Sequence, residues 1–182
     1  MDVLKKLEKE LDKIYNKDLP ELPKGAKQFL IKYFPWISLI GAVGVFWASY
    51  DLWNWGHYFY NYTTYLNNIY GAYGVNTPVR TNQMTLMVWI ALIVYIIEGL
   101  FYLFAFTGLK KQKKNGWNML FYGLLVNVIY GIVLIFTNYG GFGTFLGYLI
   151  ASAIAGYFIF QVRSAYIHTP KTNEDSNQAK KK

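Results

Sequence analysis

The sequence predicts an all-α membrane protein: a four-transmembrane-helix bundle with an N-terminal amphipathic helix and an aromatic outer loop. Three observations predict it. Of 182 residues, 54% are apolar and only 15% charged, against roughly a quarter charged in soluble domains. The charges are also segregated. From Trp36 to Leu109 only Asp51, Arg80 and Glu98 are charged, and from Asn115 to Val162 nothing is. Finally, lysine and arginine collect in alternate connections. Eight lie in residues 1–33, four at Lys110, Lys111, Lys113 and Lys114, and five from Arg163 onward, which leaves Arg80 alone on the other side. By the positive-inside rule both termini are cytoplasmic. The expected location is the cell (cytoplasmic) membrane, crossed several times.

Residues 1–18 read as an amphipathic cytoplasmic helix, with Leu4, Leu7, Leu11 and Ile14 at helical spacing on one face. Its polar face carries acids and lysines in equal number, whereas anionic lipid selects a basic face. Docking on a partner or on the chain itself is therefore the expectation, with those four residues as the contact. Residues 19–33 form a linker and pre-membrane segment that begins with Leu19-Pro20-Glu21-Leu22-Pro23, a helix breaker.

The transmembrane domain covers residues 34–162. Its spans are expected at about 34–52, 85–106, 117–137 and 142–162, each near the ~20 residues a bilayer requires. They are continuously apolar, without the alternation of a barrel strand, so helices are expected. Trp36, Trp53, Trp55, Trp89 and Trp117 fall near expected span ends, as an interfacial belt requires. Between the first two spans, residues 53–84 carry nine aromatic rings and His57. Tyrosine and tryptophan suit a half-wet layer, so this outer segment is expected to lie on the membrane surface, turning at Asn76-Thr77-Pro78. Residues 163–182 are a basic, mostly disordered cytoplasmic tail.

Glu98 is the residue that costs most to bury, about 2.5–3.5 kcal/mol on insertion scales. Counting inward from the short Lys110–Lys114 turn at 1.5 Å per residue places Asn127 at the same depth, and counting from Arg163 places Ser152 there too. The expected intramembrane polar cluster is Glu98, Asn127 and Ser152, with Tyr95, Tyr102 or Tyr130 as hydroxyl partners. Small residues mark the expected helix-packing faces: Gly41 and Gly44, then Gly123 and Gly131, then Gly147, Ala151 and Ala155, with Gly156 beside Ser152.

Enzyme classes find no footing. Without cysteine there is no thiolate or zinc-ribbon chemistry. His57 and His168 fall on opposite sides of the membrane, and no Walker, dinucleotide or Ser–His–Asp pattern is present. No cofactor, metal or nucleic acid is expected. The expected partners are the lipid bilayer and either a second copy or another membrane protein. The sequence thus reads as a non-enzymatic interaction, assembly or scaffold subunit. The alternative is a small proton- or ion-coupled transporter or channel subunit using Glu98.

The run Leu109-Lys110-Lys111-Gln112-Lys113-Lys114-Asn115-Gly116-Trp117-Asn118-Met119-Leu120-Phe121-Tyr122 resembles the cytoplasmic hairpin of an uncharacterised family of small bacterial four-helix integral membrane proteins. Phe160-Gln161-Val162-Arg163-Ser164-Ala165-Tyr166 is similar to the end of their last helix. The resemblance implies the same four-span topology in a bacterial cytoplasmic membrane, and no activity.

Overall fold

The computed structural model describes residues 2–74, 82–137 and 140–167, and within them the chain is helical with no strand. The first helix, α1, spans Asp2–Lys13 and runs into a π-helical turn at Ile14–Asp18. Helix α2 covers Lys24–Ala72, α3 Asn82–Lys110, α4 Lys114–Ile135, α5 Phe142–Gln161 and a short α6 Arg163–Ile167. Four of these, α2 to α5, are long and apolar enough to cross a membrane. Arg80, the Asn76-Thr77-Pro78 turn, His168 and the tail 169–182 lie outside the described residues.

Helix α2 differs most from the sequence expectation. Where a first span near 34–52 and a separate surface segment were expected, 49 residues form one helix, about 74 Å long at 1.5 Å per residue. Between Pro35 and Gly71 the glycines are Gly41 and Gly56, which pack against α3, and Gly44, which faces open space; none breaks the helix. Gly56 lies against Val88, whose Cγ1 would be 2.8 Å from an added Cβ. Only Gly74, at φ +73°, takes a backbone conformation that ends the run. Pro35 sits inside the helix and supplies no N–H to the Ile31 carbonyl one turn earlier. The Tyr166 hydroxyl donates to that carbonyl from α6 at 3.4 Å.

The other spans end within a few residues of expectation. The turn joining α3 and α4 is tight because two glycines meet in it. A Cβ on Gly116 would stand 2.3 Å from the Leu109 nitrogen, and one on Gly108 2.5 Å from the Gly116 Cα. Gln112 takes φ 48° at the corner, and the Lys113 amide donates to the Gly108 carbonyl at 2.8 Å.

Helix α2 packs along α3, α3 along α4 and α4 along α5. Between α2 and α5 a cleft remains, lined by residues of all four long helices. The densest core lies at the lysine-rich end, where Phe34, Leu109, Trp117, Phe121, Phe160 and Tyr166 pack together. Elsewhere the chain is apolar on its outside. In α2, α3 and α4 only 22% of the most apolar stretch is buried by the protein, and in α5 17%. Side chains such as Ile40, Trp47, Ile129 and Ile150 point away from the bundle. Such surfaces require an apolar surrounding, as a multi-pass membrane protein has. From Trp36 to Trp53 α2 rises about 26 Å, close to the ~30 Å hydrocarbon thickness.

Candidate functional site

Two polar constellations stand out, one within the spans and one at the lysine-rich end. The first is built on the inner stripe of α3, where Glu98, Ala105 and Leu109 are buried and Tyr102 half-buried, at helical spacing. Glu98 is 6% exposed. Its Oε1 accepts a hydrogen bond from the Tyr102 hydroxyl at 2.7 Å, one turn along the same helix. The Asn127 side-chain amide donates to the same Oε1 from α4. Both donors are neutral, and among the described residues no hydrogen bond is made to Oε2.

The Tyr102 ring is seated by two of the expected packing glycines. An added Cβ on Gly41 would lie 3.6 Å from the ring, and one on Gly123 3.2 Å from it. Small residues on α2 and α4 thus make the slot that aims the hydroxyl at Glu98. Ser38 of α2 donates to the Tyr102 carbonyl at 2.5 Å and pins α2 to the same point. Farther along, Gly131 admits Tyr148, whose Cβ would stand 2.8 Å from an added methyl. Tyr148 meets Tyr130 edge-on at 5.7 Å.

Ser152 is buried on α5 but makes no hydrogen bond to Glu98; the structure brings together Glu98, Asn127 and Tyr102 instead. Gly156, one turn from Ser152, faces Tyr15 of the N-terminal segment, its Cβ position 2.9 Å from the phenol oxygen. Nothing lies within 4 Å of a Cβ on Gly44 or Gly147, and Ala151 and Ala155 are exposed, so that stripe faces outward.

The second constellation holds the N-terminal segment against the bundle. Glu8 and Asp12, one turn apart on α1, both pair with Arg163 at 2.5 and 3.1 Å, and Lys114 approaches Glu8 at 3.7 Å. The Arg163 guanidinium lies 5.4 Å over the Trp117 ring. The last carbonyls of α5, which have no partner within the helix, are taken up from outside it. Trp117 Nε1 donates to Ile159 at 2.8 Å, and Asn16 donates to Phe160 at 3.2 Å. Gln161 closes the linker from both sides, donating to the Tyr15 carbonyl at 2.7 Å and accepting from the Leu22 amide at 3.1 Å.

Burial raises the Tyr15 phenol above its ordinary range and pushes Tyr166 up to about 12. The hydrogen bond from Lys27 lowers the Glu21 carboxyl. Of the apolar residues expected to dock, Leu11 packs on the core while Leu4, Leu7 and Ile14 remain exposed. The contact is made by the neighbouring polar stripe Glu8, Asp12 and Asn16. That stripe was visible as an i, i+4, i+8 series, and Arg163 as the first charge after a long neutral run.

His57 borders a cleft of about 230 Å³ between α2 and α3, walled by Trp53, Trp55, Phe59 and Trp89. Among the described residues no group of His, Asp and Glu is arranged to hold a metal ion. No protein-family model, curated protein or solved structure matches the chain, so the likeness of its basic hairpin to small bacterial membrane proteins rests on the quoted residues alone.

Proposed function

We propose that the chain is a non-enzymatic subunit of a cytoplasmic membrane that works by contact, with both termini in the cytoplasm and an aromatic arm presented outside. The arm is what carries this reading. Beyond the Trp53–Trp89 pair, whose rings meet edge-on at 5.3 Å, α2 continues for about 28 Å to Ala72. Tyr58, Tyr62, Tyr65 and Tyr70 are exposed along it. Tyrosine gives large contact area at low entropic cost and is enriched in recognition surfaces. A solvated helix gains nothing from displaying so many.

The outward pair Gly147 and Ala151 adds a face that another helix can approach closely, in a second copy or a different membrane protein. A photo-crosslinking residue at Tyr65, compared with one at lipid-facing Ile129, tests the reading in intact membranes. The expected result is a discrete protein adduct from position 65 that is lost when Tyr58, Tyr62 and Tyr70 become serine. Adducts to lipid alone from position 65 refute it.

A second reading, proton- or ion-coupled transport through Glu98, is favoured by one observation. Among the described residues, the buried Glu98 carboxyl is held by two neutral donors, Tyr102 and Asn127, and by no cation. Glu98→Gln retains the accepting oxygen and removes the exchangeable proton. Lost pH-driven flux in proteoliposomes, with the fold intact, supports transport; unchanged or absent flux in both proteins rejects it.

A further inference from the structure

The cleft between α2 and α5 has a volume of about 450 Å³, within the ~300–1,000 Å³ of small-molecule sites. On the α2 side it is walled by Leu30, Phe34, Ile37, Ser38 and Gly41, a single helical stripe. The floor is Tyr102 and Leu120, and the α5 side is Ala155, Phe158 and Ile159. Its polar side chains are already engaged: Ser38 donates to the Tyr102 carbonyl and the Tyr102 hydroxyl to Glu98. A water inside would find too few partners to stay.

The occupant is set by dimensions and charge. From Leu30 to Gly41 the helix rises about 16 Å, the depth of one leaflet in a hydrocarbon layer of ~30 Å. At the lysine-rich end, Lys27 lies one turn before Leu30 on the same stripe, with Lys24 and Lys32 close by in sequence; Glu21, paired with Lys27 at 2.9 Å, and Asp12, which lines a polar pocket with Lys27 and Arg163, are the acids there. That surplus of positive charge complements a phosphate.

We propose that the cleft between α2 and α5 is a lipid site that seats one acyl tail of an anionic phospholipid from the lysine-side leaflet, with the phosphate beside Lys27. The bundle is then a row of four helices with three seams, completed by a lipid tail in place of an α2–α5 seam. This holds whichever reading of the arm or of Glu98 is correct.

Native mass spectrometry of the full chain, released from mild detergent with equimolar phosphatidylglycerol and phosphatidylcholine of identical tails, provides the test. The wild type is expected to retain one phosphatidylglycerol. Ala155→Phe, which fills the cleft from α5, is expected to retain none. Lys27→Gln is expected to keep a lipid but lose about fivefold in headgroup preference. If Ala155→Phe unfolds, the wild type still decides the matter through a phosphatidylglycerol with a photoreactive group in mid-tail. Adducts concentrated on Phe34, Ile37 and Phe158 support the site. Adducts spread equally over Ile40, Ile129 and Ile150, retention unaffected by Ala155→Phe, or a lipid-free dimer at this face would each overturn it.

Discussion

At the scale of single residues, close approach separates glycines that look alike in sequence. A methyl on Gly116 would meet the Leu109 and Gly108 backbone at 2.3 and 2.4 Å, and backbone in a two-helix turn has nowhere to move. Gly116→Ala is therefore expected to destabilise by about 1–3 kcal/mol, whereas Gly147→Ala, facing open space, should stay within about 0.5 kcal/mol. Thermal unfolding of the two variants in one detergent distinguishes them. Glu98 presents a different balance. Asn127→Ala removes one of two donors to the buried carboxyl and should cost on the order of 0.6–2 kcal/mol, the range of hydrogen bonds between membrane helices. A double-mutant cycle with Glu98→Ala, which removes the accepting oxygen, measures the coupling. The Glu98–Asn127 pair was legible because a short hairpin fixes relative depth. Ser152 has the matching depth but lies elsewhere, since counting residues gives height along a helix and not rotation about it. Tyr102 was one of three candidate hydroxyls, and only the Gly41 and Gly123 slot singles it out.

At the scale of elements, the N-terminal helix shows which face a pattern assigns and which it conceals. The leucine stripe announced an amphipathic helix, yet the grip on the bundle is Glu8 and Asp12 on Arg163. Arg163→Gln leaves Glu8, with 14% of its side chain exposed, without its main cation. Breaking one partner of such a pair costs more than replacing both. The single variant is expected to raise tryptic cleavage between Lys5 and Lys17 about tenfold, and adding Glu8→Gln should reverse part of that increase. Equal cleavage in wild type and Arg163→Gln would show that the other contacts hold the helix alone. Tyr166 joins α6 to α2 where Pro35 frees a carbonyl. Its folded pKa, near 12, exceeds the ordinary value of 10.0, so its contribution is complete below pH 10 and is lost as pH rises through about 12. The stability advantage over Tyr166→Phe, followed by denaturation at stepped pH, should shrink across that window. The length of α2 escaped the sequence reading for a related reason. Aromatic density signals an interface but does not state whether a helix lies along it or stands through it, and the helix here ends only where Gly74 takes a positive φ.

For the whole molecule, the segregation of lysine and the placement of tryptophan act along the same axis. Trp36 lies at the lysine-rich end with Lys110 at 5.9 Å over its ring, whereas Trp117, expected in the same belt, is buried in the core; Trp53 and Trp89 meet about 26 Å from Trp36. Two belts at that spacing fit one bilayer, and the excess of α2 must then stand beyond the second belt. Moving the lysine-bearing turns across a membrane is the costly alternative, and the proposed orientation therefore puts the turn joining α3 and α4 in the cytoplasm and the arm outside. The chain contains no cysteine, so single-cysteine variants report one position each. In intact cells, Tyr73→Cys is expected to react with a membrane-impermeant maleimide and Asn115→Cys only after lysis. Tyr65→Cys, about 18 Å past Trp53 along the helix, should react as fast as Tyr73→Cys, because an arm standing clear of the headgroups wets its whole length. Slow reaction at position 65 beside fast reaction at 73 would mean that the arm bends down onto the membrane, and reaction at 115 without lysis would invert the orientation on which the contact reading depends.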